Sequence, residues 1–367
     1  YQLDANGLLI PSVSRFPSSA NGAGFKPLAD WVHAQGLKFG IHIVRGIPRQ
    51  AVQANLPIAD SHFRAANAGD TSDVCPWDDG NYGVSDNPAG QAYYDSMLKL
   101  YAGWGVDFIK VDCIADHPYR ASEIRQIAAA IRKTGRPIVL SLSPGPTQIA
   151  HAAEVGREAQ MWRISNDVWD GWAFAHDHPE DDFPNGVASA FDNLSNWNRY
   201  VRPGHWPDAD MLPFGVLMPH PGWGAPRLSR LTPDEERSQF TLWAIARSPL
   251  ILGANLTMLD DATRMLITND ANIALDQEGR DEHPVTNLPS GFEHVRAWET
   301  TLRGVPVLAL FNMDAAPLML HAKWTQLGLK RHRYSARDLW SGETAVSDGL
   351  AVTLPAHGCV VYRLNPL

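Results

Sequence analysis

Short apolar runs alternate with longer stretches of helical spacing along most of this chain, and that alternation constrains its fold more than any other feature. Residues 24–35 (GFKPLADWVHAQ) place Phe25, Leu28, Ala29 and Val32 on one helical face, and Gly36 supplies a stop signal. An apolar run at 37–44 (LKFGIHIV) follows. The pattern then recurs: 93–104 predicts a helix, 106–111 (VDFIKV) a strand, 121–133 a helix and 137–142 (PIVLSL) a strand. Further on, 147–159 reads as helix, 160–164 as strand, 187–200 as helix and 205–212 as a short strand-like piece. Thr232-Pro233-Asp234-Glu235 is a capping box with proline at the first helical position, and it predicts a helix to Arg247. A strand at 249–253 and a less regular helix at 260–275 complete the series. Strands separated by helices of this length pair in parallel, because each crossover must travel back along the sheet.

From about Ala297 the texture changes. Runs at 305–311 (VPVLALF) and 359–364 (CVVYRL), set apart by Gly, Pro and Asp, predict a small antiparallel β domain. At 367 residues the chain exceeds what one core supports, so a division into 1–285 and 286–367 is expected. Six barrel-type strands fall short of the eight that close a (β/α)₈ barrel. The chain opens at Tyr1-Gln2-Leu3-Asp4 as though in the middle of a loop, so the missing β/α unit is expected to precede Tyr1.

Composition removes several functions. A net charge of −9 disfavours binding to phosphate backbones, which clustered Lys and Arg drive by releasing counterions. No apolar run reaches the ~20 residues of a membrane span. The three cysteines, Cys75, Cys113 and Cys359, are too scattered for a zinc knuckle or a disulfide framework, although a Cys75–Cys113 bridge stays open.

In a parallel barrel the reacting groups sit where strands end. Four ends carry polar residues: Lys110-Val111-Asp112, Leu142-Ser143, Arg163-Ile164-Ser165-Asn166-Asp167 and Asp208-Ala209-Asp210. A strand-end Asp can equally cap the next helix. Asp112 and Asp167, however, end strands two apart in the count, and two carboxylates ~5–5.5 Å apart are the arrangement of a retaining glycosidase. Lys110 and Arg163 would then keep one carboxylate ionised or hold sugar hydroxyls. Trp77, in the Gly, Asp and Asn rich loop after the first strand, is a stacking platform for sugar or packs against a neighbouring loop. There is no Gly-x-Ser-x-Gly elbow, phosphate-binding loop or His-Glu-x-x-His. His42 stands alone among the strand ends, which suits a hydrogen-bonded barrel histidine better than a metal ligand.

At these residues the sequence resembles glycoside hydrolase family 27. The similar stretches are Arg15-Phe16-Pro17, 24–40, 105–112 (GVDFIKVD), 162–167 (WRISND), 208–212 (DADML) and 338–340 (DLW), in order along nearly the whole chain. The resemblance implies an α/β fold, a (β/α)₈ TIM barrel followed by a C-terminal antiparallel β-sandwich. It implies hydrolysis of oligosaccharides or glycans bearing terminal α-linked galactose, by double displacement and without cofactor or metal. Carried over by position, Asp112 matches the nucleophile and Asp167 the acid/base. Lys110, Arg163 and Asp210 match groups that hold the sugar and position the nucleophile, and Cys75 lies on a loop bordering the pocket. The family's Gly-Trp-Asn-Ser-Trp-like first strand and the acidic pair ending its second do not occur here, so these residues alone are expected to be poorly soluble or inactive. Ser143-Pro144-Gly145 also departs from the family's Cys-Glu-Trp or Cys-Ser-Trp, and the small Ser143 leaves room beside C2 of the sugar. Galactose, N-acetylgalactosamine and L-arabinopyranose all stay open. A non-catalytic sugar-binding protein is the rival reading, against which the presence of both Asp112 and Asp167 argues. A metal-dependent barrel hydrolase is a weaker one. The compartment is open, with export to the periplasm or beyond among the options.

Overall fold

The computed structural model describes residues 2–175, 183–218 and 225–367, so Tyr1 lies outside the described residues. The chain forms two compact units, Tyr1–Arg163 and Ile164–Leu367.

In the first unit the predicted strands are present and shorter than their apolar runs. Strand β1 (Gly40–Val44) is followed by a hairpin of β2 (Gly69–Cys75) and β3 (Asp78–Val84), then by β4 (Phe108–Asp112), β5 (Val139–Leu142) and β6 (Met161–Arg163). β1, β4, β5 and β6 pair in parallel in that order. The register explains the composition of the strands. Ile41, Ile109 and Leu140 form one cross-strand row, and Ile43, Val111 and Leu142 another. These rows belong to the face that crossover helices cover, and Ile109, Val111 and Leu142 are completely buried. Because side chains alternate, His42, Lys110 and Ser141 form a polar row on the opposite face.

The helices begin and end where their sequences dictate. α1 (Lys26–Ala34) has proline in its first turn. In α2 (Pro88–Trp104) the Asn87 side chain accepts from the Gly90 N–H, and the left-handed Gly105 stops the helix. α3 (Ala121–Thr134) packs beside α2. The loop expected after the first strand, carrying Cys75 and Trp77, is instead the β2–β3 hairpin. It has few apolar side chains, so no periodicity announced it.

In the second unit, α4 (Val187–Trp197) precedes β7 (Trp206–Asp208), and the capping box opens α5 (Pro233–Ala246) as expected. The strand predicted at 249–253 reduces to one parallel bridge, Leu212 with Leu252. Pro249 has no N–H to give, and its carbonyl is taken by the Ile251 N–H, so pairing stops at Leu212. The helix predicted at 260–275 is two, Asp261–Ile267 and Asp270–Glu278, because Asn269 caps a fresh start by accepting from the Asn272 N–H.

The antiparallel part comprises β8 (Arg280–Pro284), β9 (Val295–Leu302), β10 (Val305–Asn312), β11 (Leu318–Lys323), β12 (Tyr334–Asp338), β13 (Thr344–Ser347), β14 (Gly349–Leu354) and β15 (Cys359–Pro366). One sheet runs β8-β9-β10-β15-β12-β13, and β11 pairs with β14 in a second. Leu308, Leu310, Leu320, Trp324, Leu350 and Leu354 share the apolar core of this sandwich. β10 is buried along nearly its whole length, because its other face is covered too: Phe311 meets Phe191 of α4 edge-on at 5.1 Å.

Glu236, in the first turn of α5, provides a pH test of this packing. Burial, with the charge of Asp260 second, pushes its carboxyl from 4.5 up to about 7. The folded chain therefore holds this proton more tightly than the unfolded chain does, so stability falls as pH rises from about 4.5 to about 7. Glu236→Gln should raise the urea midpoint at about pH 8, by the equivalent of about 1–2 kcal/mol once solvent screening of a partly exposed group is allowed for, and leave it unchanged at about pH 4. The same shift at both pH values would contradict this assignment.

Candidate active site

In the first unit Asp112 closes β4, and both of its carboxylate oxygens are occupied. Ser143, the residue after β5, donates its hydroxyl to Oδ1 at 3.2 Å, and the Trp77 indole N–H donates to Oδ2 at 3.0 Å. Hydrogen bonds to a charged group contribute about 1.5–3 kcal/mol each, so the plane of the carboxylate is fixed from two sides. Lys110 precedes Asp112 by two residues on the same face of the strand. Trp77 is 49% exposed, and its ring meets His117 edge-on at 6.4 Å. It thus does something neither sequence reading contained, since its N–H serves the strand-end carboxylate directly.

Trp77 reaches Asp112 because the hairpin carrying it is tied down at several points. Cys75 is bridged to Cys113, the residue immediately after Asp112, with 6.0 Å between their Cα atoms. Cys75 is 5% exposed, so its sulfur fixes the loop that borders Asp112. The second tie is Asp73 on β2, whose carboxylate accepts from Arg45 at 3.0 and 2.8 Å and also from Arg120. Gly83 lies under this carboxylate on β3, where a Cβ would come within 2.4 Å of Asp73 Oδ2. Only glycine lets the two strands close around the pair.

Arg45 is the hub of a group that the sequence reading missed. Its side chain is 2% exposed; Nε donates to the Cys113 carbonyl at 2.6 Å and Nη1 to Glu123 at 2.7 Å. Its backbone N–H donates to the Asp112 carbonyl at 3.0 Å. Tyr94 donates to the second oxygen of Glu123. Burial raises the Glu123 carboxyl above its ordinary range against the opposing charge of Arg45. Burial also works against the Arg45 cation, but the Asp73 hydrogen bond and the charges of Glu123 and Asp73 outweigh it and hold the guanidinium more firmly protonated. An arginine placed directly after a strand, followed by Gly46, was the available signal.

The second unit holds the other strand-end carboxylates. The Asp210 carboxylate accepts the N–H of Val168 at 2.7 Å, so it positions the backbone next to Asp167. Asp210 has a left-handed backbone, φ 81°, held by its own N–H to Asp208 at 2.8 Å and by the Trp243 indole N–H to its carbonyl at 2.8 Å. The Asp167 carbonyl accepts from Asn185 at 2.9 Å. Three residues on, buried Asp170 takes a forked pair of bonds from Arg227 and the N–H of Arg230. Burial opposes ionisation of Asp170, and these donors override it and lower its pKa. Arg163, 2% exposed, ends β6 in the first unit, where its carbonyl accepts from Thr147. Among the described residues no group of three or more His, Cys, Asp and Glu side chains is arranged to hold a metal ion, and no helix is long and apolar enough to cross a membrane.

Carboxylates clamped at the ends of parallel α/β strands, with an antiparallel sandwich later in the chain, are the build of a barrel glycoside hydrolase. Known proteins agree. Residues 75–278 match the family model described as alpha galactosidase A, and 294–364 match the alpha galactosidase C-terminal β-sandwich domain. A solved family 27 β-L-arabinopyranosidase from Geobacillus stearothermophilus is 40% identical, with a TM-score of 0.91 over 100% of this chain and 82% of that one. Alpha-galactosidase A of Cellvibrio japonicus is 29% identical over 99% of this chain and 80% of its own length. The alpha-N-acetylgalactosaminidase of Gallus gallus is 26% identical over 100% and 79%. The chain belongs to the α-galactosidase family, glycoside hydrolase family 27, and is a glycoside hydrolase.

The bridge between Cys75 and Cys113 closes a separation of 38 residues, for which loss of loop entropy predicts a stabilisation of about 2–4 kcal/mol. Replacing both cysteines by alanine should lower the unfolding free energy by about that amount, measured in urea, and lower kcat as Trp77 loses its fixed place at Asp112. Unchanged stability and unchanged kcat together would show that Arg45 and Asp73 hold the hairpin unaided.

Proposed function

We propose that this chain is a retaining exo-glycosidase that removes a terminal α-linked galactose, with Asp112 as nucleophile and Asp167 as acid/base. The observation that carries the reading is the double clamp on Asp112, which presents a fixed carboxylate oxygen at a strand end of a family 27 fold. In the first step an Asp112 oxygen bonds to the anomeric carbon while the glycosidic bond breaks, and the leaving oxygen takes the proton of Asp167. In the second, a water oxygen bonds to the same carbon and gives its proton to Asp167, and Asp112 departs as a carboxylate. Lys110, Arg163 and Asp210 are assigned to sugar hydroxyls and to alignment. Ser143 and Trp77 hold the nucleophile, and Cys75 anchors the hairpin that carries Trp77.

A second glycon is favoured by one observation, the 40% identity with a β-L-arabinopyranosidase over the full chain. β-L-Arabinopyranose has the ring stereochemistry of α-D-galactose and lacks only the hydroxymethyl group, so one set of clamps serves both. The proposed domains are a catalytic one at 1–285 and the sandwich at 286–367, which the two family matches and the shared core of the sandwich support. Export to an oxidising compartment is proposed on the strength of the Cys75–Cys113 bridge.

Hydrolysis of nitrophenyl α-D-galactopyranoside, β-L-arabinopyranoside and α-N-acetylgalactosaminide should be dominated by one of the first two. Asp112→Ala should abolish turnover, and azide should restore part of it with inverted product, seen by NMR. Asp167→Ala should lower hydrolysis of unactivated glycosides by about 10²–10⁴, and bond cleavage in the nitrophenyl substrate by much less, because a good leaving group needs no proton. Normal turnover by Asp112→Ala would remove the nucleophile assignment, and equal losses across leaving groups would remove the acid/base.

A further inference from the structure

We propose that His357, on the turn joining β14 to β15 of the sandwich, is a positioning residue for Asp167 and acts through the indole of Trp172. This inference rests on the reading of Asp167 as acid/base.

His357 is held in a conformation it would not choose. Its φ of 52° is left-handed, a conformation that a residue with a Cβ keeps where the surroundings impose it. Here they do. Completely buried Asn312 donates to the Pro355 carbonyl at 2.7 Å and to Ala316 at 2.8 Å, and so bolts the turn to the end of β10. The His357 N–H donates to the Asp314 carbonyl at 3.1 Å, and Ser238 of α5 donates its hydroxyl to the His357 carbonyl at 2.6 Å.

The ring is fixed as firmly as the backbone. Nδ1 lies 2.7 Å from Glu235 Oε1, and a carboxylate there makes Nδ1 the donor. The other oxygen of Glu235 accepts the Thr232 N–H at 2.8 Å, so this partner belongs to the capping box of α5 and cannot wander. With its azimuth set, the imidazole lies flat on the indole of Trp172, 4.3 Å between centroids and 7° between planes.

Trp172 terminates a segment with little freedom of its own. Its carbonyl accepts from Ala188 at 2.8 Å, and the Gly171 carbonyl accepts from Val187 at 3.1 Å. The Trp169 N–H donates to Asn185 at 3.0 Å, and the Asn185 N–H donates to Asp167 at 2.9 Å. A Cβ at Gly186 would stand 2.5 Å from the Trp172 carbonyl, which shows how closely the two stretches run. Residues 167–172 are therefore zipped onto the start of α4, and a shift of the Trp172 ring is transmitted along the zip to Asp167. The sandwich supplies the fixed flat surface that sets where the ring rests.

A stack that merely docked the sandwich would support folding and leave proton transfer alone. The test reads proton transfer. His357→Ala and His357→Phe are compared with the parent chain on an alkyl glycoside, which needs the proton, and on a dinitrophenyl glycoside of the same sugar, which does not. His357→Ala should lower kcat/KM on the alkyl glycoside by about ten- to a hundredfold, as for a modest misplacement of a catalytic group, and by less than about threefold on the activated one. His357→Phe keeps a flat ring on Trp172 and should recover most of the loss. Equal losses on the two substrates, or none, would overturn the inference. Asp167→Ala is assayed alongside: if it too shows no dependence on leaving group, the acid/base reading itself fails. If it does show that dependence and His357→Ala does not, only the role of His357 fails. Should the alanine variant not fold, His357→Gln, which keeps a donor to Glu235 without a ring, takes its place in the comparison with His357→Phe.

Discussion

An arginine side chain with 2% exposure has to be paired, because an isolated charge there would cost several kcal/mol. Arg45 meets that demand with Asp73, Glu123 and the carbonyl of Cys113, which come from the hairpin, from α3 and from the residue after Asp112. Satisfying one buried cation therefore brings the three parts of the first unit that surround Asp112 into a single arrangement. A buried ion pair of this kind is weak evidence for stability, since apolar groups of equal volume often do as well. What apolar groups would not supply is direction. Each bond of the guanidinium has a fixed angle, and those angles set where Cys113 and the hairpin stand relative to β4.

The two carboxylates are held by different means, and the difference fits their proposed chemistry. Asp112 is held at its oxygens, by a hydroxyl and an indole N–H, so the nucleophile presents one orientation throughout. The backbone of the segment bearing Asp167 is held through Asn185, Asp210 and the stretch up to Trp172. A group that must give up a proton and later take one back gains from a fixed base.

The strand ends were legible because the face of the sheet toward the helices is apolar and its opposite face is polar, which makes Lys110, Asp112 and Ser143 stand out from Ile109, Val111 and Leu142. The parallel strands and the antiparallel region followed from such periodicities, the start of α5 from its Thr-Pro-Asp-Glu motif, and the barrel with its sandwich from the family resemblance. The β2–β3 hairpin was not legible: it is rich in Gly, Asp, Asn and Ser, and long-range partners such as Arg45 and Cys113 hold it together. The same reason hides Trp77 as a donor to Asp112 and His357 as a neighbour of Trp172, a contact that joins residues far apart in the chain. The strand expected at 249–253 failed for a local reason, the proline at its start.

β10 has the sandwich core on one side and Phe191 of α4 on the other, so neither face of this strand is left to water. The sandwich is for that reason a poor candidate for an exchangeable module. Cutting it away would uncover Phe311 and strip α4 of a neighbour in the same stroke. Amide hydrogens along Val305–Asn312 are tied to β9 and β15 on the strand's edges and screened on both faces. Deuterium reaches them when the strand and its neighbours open together, and their exchange reports the lifetime of this part of the native state.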